Sequence, residues 1–457
     1  MAHTKTIKRT RNDIDMTTGS LPGKILMFSL PLIFSNILQL LFNAADIIVV
    51  GRFAGDASLA AVGSTGALTS LLVNIFIGMS VGTNVVAARA IGEKNAETVS
   101  DTVHTSVLFS IVCGVFLAVI GFFIAEPALA FMDTPPDVID KSVLYMRIYF
   151  LGMPMTMLYN FGYAIMRAQG DTRRPMYYLI IAGVVNVVLN LFFVIKLNMD
   201  VAGVAIATVI SQALSAFLIL NCLSKLTNEC KFEAKKLNIK KDTIIQIMKI
   251  GIPAGIQSAL FSISNMLIQS SINYFGSVAM AATTVAVNIE GFVYTSIYAI
   301  YQTMLSFVSQ NLGAKKIDRI KRVFILCNIT AIILGIFLSG IAYIFGRELM
   351  GLYSTSEEVI ACGLVRFSYI MVPYFLCGLM EVMVGAVRGL GASLAPTVIS
   401  LLGICVFRVA WVYTVFESNK NLETLYISYP ISWILTIAGQ FILFVILYKK
   451  IKKQVGK

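Results

Sequence analysis

The sequence predicts an all-α integral membrane protein, with twelve transmembrane helices in two parallel six-helix bundles related by a pseudo-two-fold axis along the membrane normal. Three observations predict it. Of 457 residues, 57% are hydrophobic and 13% charged, where a soluble domain carries roughly 25% charged residues. Apolar runs long enough to cross a bilayer, about 20 residues each, recur along nearly the whole chain. The second half then repeats the punctuation of the first.

The spans read as 24–51, 58–88, 102–125, 140–166, 175–196, 201–224, 243–275, 279–310, 321–346, 358–387, 395–416 and 425–448. A basic tail (1–23) precedes them, a charged linker (225–242) separates the bundles 24–224 and 243–448, and a basic tail (449–457) follows. The polar, basic first twenty residues are not expected to be a cleaved signal peptide. The formal charge of +12 sorts by side. Of the 36 basic residues, 28 fall in the tails, the linker and alternate loops, including Lys5, Arg89, Arg167, Lys236, Arg319, Arg388 and Lys453. The other loops are acidic, with Glu126, Asp133, Asp137, Glu348, Glu357 and Glu358. By the positive-inside rule both termini are expected in the cytoplasm, with the protein in the plasma membrane. The charge therefore sets topology and does not call for nucleic acid.

The repeat is offset by about 221 residues. Gly55 and Ala60-Ala61 match Gly276 and Ala281-Ala282, and Ile91-Gly92 matches Leu312-Gly313. The loop Arg167…Gly170…Pro175 matches Arg388…Gly391…Pro396. Pro31 pairs with Pro253 and Pro154 with Pro373, the register slipping by one or two residues. Six spans per copy is an even number, so both copies share one orientation. Such parallel repeats are built into secondary transporters, with the substrate path between them. The early prolines of spans 1 and 7 remove a backbone donor and read equally as fixed kinks or as hinges.

Charged groups inside a bilayer cost at least about 2.5–3.5 kcal/mol each and need an explanation. Asp46 lies in span 1 on a polar stripe with Asn36, Gln39 and Asn43. Asn186 and Asn190 lie one turn apart in span 5, and Thr208 lies in span 6. One carboxylate among neutral oxygens suits a hard monovalent cation, and its protonation would serve a proton. The alternative is that Asp46 is simply hydrated near the outer end of its span. Glu290 precedes Tyr294, Tyr298 and Tyr301 at helical spacing, an acidic and aromatic face suited to a lipophilic cation. Gln257, Ser258, Ser262 and Asn265 add polar positions in span 7, and Glu381 lies between Met380 and Met383. Alternatively these acids pair with in-membrane arginines, Arg408 above all. Arg147 and Arg366, toward the outer ends of their spans, are expected to snorkel outward.

Several motifs carry no chemistry. Gly78-Met-Ser80-Val-Gly82 has the GxSxG spacing of a hydrolase elbow. It lies mid-helix with no histidine base, however, and reads as a helix contact. There is no Walker loop and no HExxH, so an enzyme is not expected. The seven cysteines form no CxxC pair and read as packing residues. The two histidines, His3 and His104, give no metal site.

With these spans and this repeat, the chain resembles the multidrug and toxic compound extrusion (MATE) family of cation-coupled exporters. The motifs that carry the resemblance are Asp46-Ile-Ile-Val-Val-Gly51, Gly55, Ala60-Ala61, Ile91-Gly92 and the Arg167…Pro175 loop with its copy. The resemblance spans roughly residues 20–448. It implies two lobes and export of organic cations or drugs in exchange for Na+ or H+, with no cofactor and only membrane lipid as a standing partner. A monomer is expected. The family's first-lobe cation site, where Na+ would bind at Asp46, maps onto Asp46, Asn186, Asn190 and Thr208. Where well-studied members carry a second acid, this chain has Asn190, so one carboxylate carries the site. The second-lobe acid of the seventh helix has no counterpart, and Glu290 and Glu381 are expected in its place. The rival reading from the same superfamily is a flippase of lipid-linked precursors. Its pyrophosphate cargo would call for several cavity arginines or lysines, and Arg408 is the one residue that suits it.

Overall fold

The computed structural model describes residues 13–132 and 134–455. The expectations placed on His3, Lys5 and Asp133, and on the basic tails over 1–12 and 456–457, lie outside the described residues. Among the described residues the regular structure is entirely helical, as a bilayer requires of a chain that must satisfy its own backbone groups. The first half runs α1 (Leu21–Phe53), α2 (Asp56–Gly92), α3 (Ala96–Phe131), α4 (Pro136–Leu151), α5 (Met153–Gln169), α6 (Arg173–Leu191) and α7 (Asp200–Ser224). The second half runs α8 (Lys241–Asn273), α9 (Ser277–Gly313), α10 (Ile317–Ile344), α11 (Gly346–Gly351), α12 (Glu357–Arg366), α13 (Tyr374–Gly389), α14 (Leu394–Ser400), α15 (Phe407–Trp411) and α16 (Leu422–Val455). Four wider π-helical stretches, Phe192–Lys196, Phe367–Met371, Leu401–Val406 and Val412–Phe416, interrupt or extend them.

Ten of these helical runs are long and apolar enough to cross a membrane, and the pair 357–371 and 374–389, bent by 44° at Pro373, makes an eleventh. The remaining expected span, 140–166, is divided at Gly152 into α4 and α5. A proline two residues on, Pro154, lacks the donor that would carry the first helix forward. Its backbone packs instead against Gly114 of α3, where a Cβ would overlap it.

The duplication read from the sequence recurs in the backbone. Gly55 and Gly276 both precede a long helix at φ 85° and 86°, and Gly170 and Gly391 both end one at 106° and 89°. Lys94 and Lys315, at φ 55° and 56°, make the same left-handed turn without a glycine. Such φ values are costly for most residues with a Cβ.

Packing divides the chain into two compact units. The first is 13–15 with Phe34–Gly255, and the second Met16–Ile33 with Ile256–Lys457. The divisions fall inside α1 and α8, two residues past Pro31 and Pro253.

In the first unit one apolar core gathers Phe109, Leu117, Met146, Phe150, Met157 and Phe161, and a smaller one gathers Val49, Val50, Ala61, Val62, Val194 and Val204. Gly78 and Gly82 of α2 face Gly251 and Gly255 of α8 so closely that a Cβ at any of the four would overlap the opposite backbone. The GxSxG spacing is thus half of a small-residue helix contact. The linker docks on α3: the Glu233 amide donates to His104 Nε2 at 3.0 Å, and His104 stacks on Phe232.

The core of the second unit is more aromatic, with Phe367, Tyr374, Phe416, Tyr426 and Trp433. Arg319 there donates to the carbonyls of Met16, Thr18 and Gly19, anchoring the entry to α1. Five of the seven cysteines are buried and none is disulfide-bonded among the described residues, as packing residues should be.

Candidate cation site and the polar interior of the second unit

Asp46 stands on α1 one turn before Val49 and Val50, with the smaller valine core beside it. Its carboxylate is held by amide and hydroxyl groups. Asn190 Nδ2 donates to Asp46 Oδ1, and Thr208 Oγ1 donates to Oδ2 at 3.4 Å. Asn190 Nδ2 also reaches Asn186 Oδ1 at 3.3 Å, as the i, i+4 spacing on α6 allows. Asn186 and Asn190 are 5% and 0% exposed. Asp46 is in no ion pair among the described residues, so its charge has no partner among them. Asn190 Oδ1 is buried without a hydrogen-bond donor. A carboxylate, two amide oxygens and a hydroxyl therefore converge in one unit with an unmet need for positive charge. Asn43, expected in this group, is exposed and makes no hydrogen bond among the described residues. No group of three or more His, Cys, Asp or Glu side chains comes together among the described residues. Any cation here depends on neutral oxygens.

In the second unit the acids have different fates. Glu290 on α9 meets Arg366 in a two-point pair, Nε to Oε1 at 2.8 Å and Nη2 to Oε2 at 2.9 Å. Their side chains are 8% and 3% exposed. Pairing with an arginine was the alternative reading of this acid, but the arginine is Arg366 and not Arg408. The expectation that Arg366 snorkels outward is corrected: it lies inside, with its guanidinium 5.3 Å and 5.6 Å from the Tyr426 and Tyr429 ring centres. Its repeat partner Arg147 is partly exposed and pairs with Glu126 at 2.8 Å.

Glu381 on α13 is buried and accepts from the Tyr294 hydroxyl at 3.4 Å, with the buried Met383 beside it in sequence. Tyr294 stacks on Tyr298 at 6.0 Å, and Tyr298 on Tyr301 at 4.9 Å. The ladder ends at Arg388. That side chain was counted among the loop charges, but it is 5% exposed and donates to the Tyr301 hydroxyl at 3.0 Å and to Gln257 Oε1 at 2.8 Å. Gln257 is thus tied to an arginine, while Asn265 is exposed. The Arg388 cluster was missed because its residue sits in a loop motif. The repeat could have found it, since Arg167 at the matching position is equally buried.

Arg408, on α15 between two π-helical stretches, donates from Nε to Ser432 Oγ at 2.9 Å. Its guanidinium lies 4.0 Å from the Tyr429 ring centre and 6.0 Å from that of Trp433.

The MatE family model matches residues 31–192 and again 253–414. A probable multidrug resistance protein of Bacillus subtilis, YoeA, is 30% identical over 420 residues, 90% of each chain. A second from the same organism, YpnP, is 25% identical over 394 residues, 86% of this chain and 88% of its own. Among solved structures, a crystal structure of MATE in complex with MaL6 superposes with a TM-score of 0.91 at 20% identity, over 97% of this chain and 100% of the other. Members of the matched family are transporters, so the protein is a multi-pass membrane transporter and not an enzyme. Two copies of one matching segment and relatives aligned over nine-tenths of the chain lead to one conclusion: this chain belongs to the MATE family of multidrug efflux transporters.

Proposed function

We propose that the protein is a secondary antiporter of the plasma membrane that exports small organic compounds in exchange for Na+ or H+, with Asp46 as the coupling acid. The observation that carries this reading is the unpaired Asp46 carboxylate beside the donor-less carbonyl of Asn190. A sodium ion would take the Asp46, Asn190, Asn186 and Thr208 oxygens, and a proton would go to the carboxylate itself. Either neutralises a half-buried carboxylate that has no ion-pair partner among the described residues. Cationic amphiphiles are the cargo the acids suit best, with Glu381 and the Tyr294–Tyr298 stack as the contact surface. Glu290 enters through Arg366, which neutralises it. The lobes 24–224 and 243–448, completed as twelve spans with both termini inside, would alternate access as a monomer in the lipid bilayer.

The test is efflux of ethidium from proteoliposomes under an imposed sodium gradient, then under a proton gradient. One gradient should drive efflux, and Asp46→Asn should abolish the driven component while the protein stays folded. Full gradient-driven efflux by Asp46→Asn would refute the assignment. The flippase reading is favoured by Arg408 alone. Arg366 is neutralised by Glu290, and Arg388 is committed to neutral oxygens. One available guanidinium is too few for a pyrophosphate headgroup.

A further inference from the structure

The halves repeat one another, yet they are opposite in charge where the cation site falls. The register of Asp46 in the second half lies at Leu267 and Ile268, both apolar. The register of Asn186 lies at Arg408. The two family matches begin at Pro31 and Pro253 and end at Phe192 and Thr414, the same distance apart at both ends, and Asn186 and Arg408 share that spacing. The stretch Leu401–Val406 supplies the one extra residue by which this spacing exceeds that of Pro175 and Pro396, because a π turn holds one residue more than an α turn. Tyr429 and Pro430 fall in the register of Ala207 and Thr208. A carboxylate with amides in the first unit is thus replaced, in the second, by a guanidinium with aromatic rings.

Arg408 is 4% exposed. A guanidinium keeps its charge under all ordinary conditions. Taking it out of water is costly unless an anion or a full set of acceptors repays it. Here the chain offers one hydroxyl, Ser432, and two ring faces. Among the described residues no carboxylate comes within ion-pair distance, and the terminal nitrogens make no hydrogen bond. The neighbouring acid, Glu290, is spent on Arg366. Arg366, on the same Tyr429 ring at 5.6 Å, itself keeps a buried Nη1 with no acceptor. Of the two acids in this interior, Glu290 is paired with Arg366 and Glu381 is hydrogen-bonded to Tyr294, so neither forms an ion pair with Arg408 among the described residues.

We propose that the second unit holds an anion-recognition site at Arg408, walled by Tyr429 and Trp433, which takes the single carboxylate or sulfonate of an aromatic organic cargo. The proposal rests on the chain being an exporter of organic compounds and adds a cargo class that its acids do not predict. The planar fork offers a carboxylate two parallel hydrogen bonds, and the rings offer apolar walls for an aromatic body. A single available fork fits a monoanion better than a pyrophosphate.

The experiment is equilibrium binding to the full chain in phosphatidylcholine nanodiscs with no imposed gradient, so its failure leaves the role of Asp46 untouched and the converse holds. Dansylglycine is the anionic probe and dansylamide its neutral match. Wild type should bind dansylglycine at least about ten-fold more tightly than dansylamide, since two charge-assisted hydrogen bonds separate them. Arg408→Gln should erase that preference and leave dansylamide unchanged. Should that variant fail to fold, wild type alone decides: dansylglycine should protect Arg408 from phenylglyoxal, and dansylamide should not. Equal affinity for both probes, equal loss of both in Arg408→Gln, or absence of protection overturns the proposal. So does full displacement of dansylglycine by phosphatidylglycerol in the nanodisc, which would make the site one for lipid headgroups.

Discussion

Removing Arg366 should damage the protein more than removing the acid it holds. Its two nitrogens meet both Glu290 oxygens at 2.8 Å and 2.9 Å, and neither side chain has appreciable contact with solvent. Arg366→Gln leaves the carboxylate buried opposite a neutral amide, and breaking such a pair from one side costs about 3–5 kcal/mol. Glu290→Gln is milder, because the stranded guanidinium still faces the Tyr426 and Tyr429 rings, and cation–π contact offsets up to about 2 kcal/mol. In the double variant two amides can bond to one another with no buried charge, so it should recover to within about 1–2 kcal/mol of wild type. The expected order is wild type, then the double variant, then Glu290→Gln, then Arg366→Gln. Unfolding midpoints of the purified proteins in one detergent read this order. A double variant less stable than Arg366→Gln, or an Arg366→Gln as stable as wild type, would refute the account of the pair as mutual neutralisation.

Three further outcomes follow from other parts of the molecule. Asn190→Asp places a second carboxylate beside Asp46. At about 4 Å two unit charges interact by about 4 kcal/mol at an effective dielectric of 20, so each would bind a shared sodium more strongly. If sodium is the driving ion, its concentration for half-maximal efflux should drop at least about ten-fold, and an unchanged value would place the ion elsewhere. Gly82→Ala drives a methyl into the carbonyl of Ile247, while Gly63→Ala on the same helix meets nothing within 4 Å. Overpacking costs about 1–3 kcal/mol, so the first variant should lose detergent stability and the second should not. His104→Phe preserves the stack on Phe232 but removes the acceptor of the Glu233 amide. One buried hydrogen bond is worth about 1 kcal/mol, so trypsin should cut at Lys231, Lys235 and Lys236 about five-fold faster, and wild-type rates would deny the contact its role.

The sequence was most informative where the cause is local. Hydropathy over one helix length located eleven of the expected spans, because the bilayer acts on each segment separately. The duplication was visible because left-handed turns demand glycine at Gly55, Gly170 and their copies. The grouping of side chains at Asp46 was legible as well, since i, i+4 spacing brings Asn186 toward Asn190 on any helix and the family resemblance joins them to Asp46. Partner choice was not legible. Glu290 and Arg366 lie 76 residues apart, and an arginine near a span end has the same sequence signature whether it snorkels or turns inward. The split at Gly152 was equally hidden, for a proline inside an apolar run can bend a helix or end it.

The π-helical stretches explain why the reversal of charge between the halves escapes a plain repeat comparison. At the offset of 221 that aligns the glycines, Arg408 falls opposite Val187, an apolar neighbour of no interest. The wide turn at Leu401–Val406 advances the chain by one residue between Pro396 and Arg408, while the first half has no such turn between Pro175 and Asn186. Its own, Phe192–Lys196, comes just after Asn190, and another, Phe367–Met371, directly follows Arg366. A wide turn weakens the backbone hydrogen-bond ladder, and within a bilayer that is tolerated where the helix faces protein or water and not lipid. Each of the polar side chains Asn190, Arg366 and Arg408 therefore stands beside a place where the hydrogen-bond ladder of its helix is loosened. The inserted residue does two things at once: it rotates the following side chains by about 100°, one residue's turn of an α-helix, and it frees local backbone groups. An insertion at this point is how a duplicated transporter can keep its fold in both halves while turning an arginine into a position that the ancestral register gave to an amide.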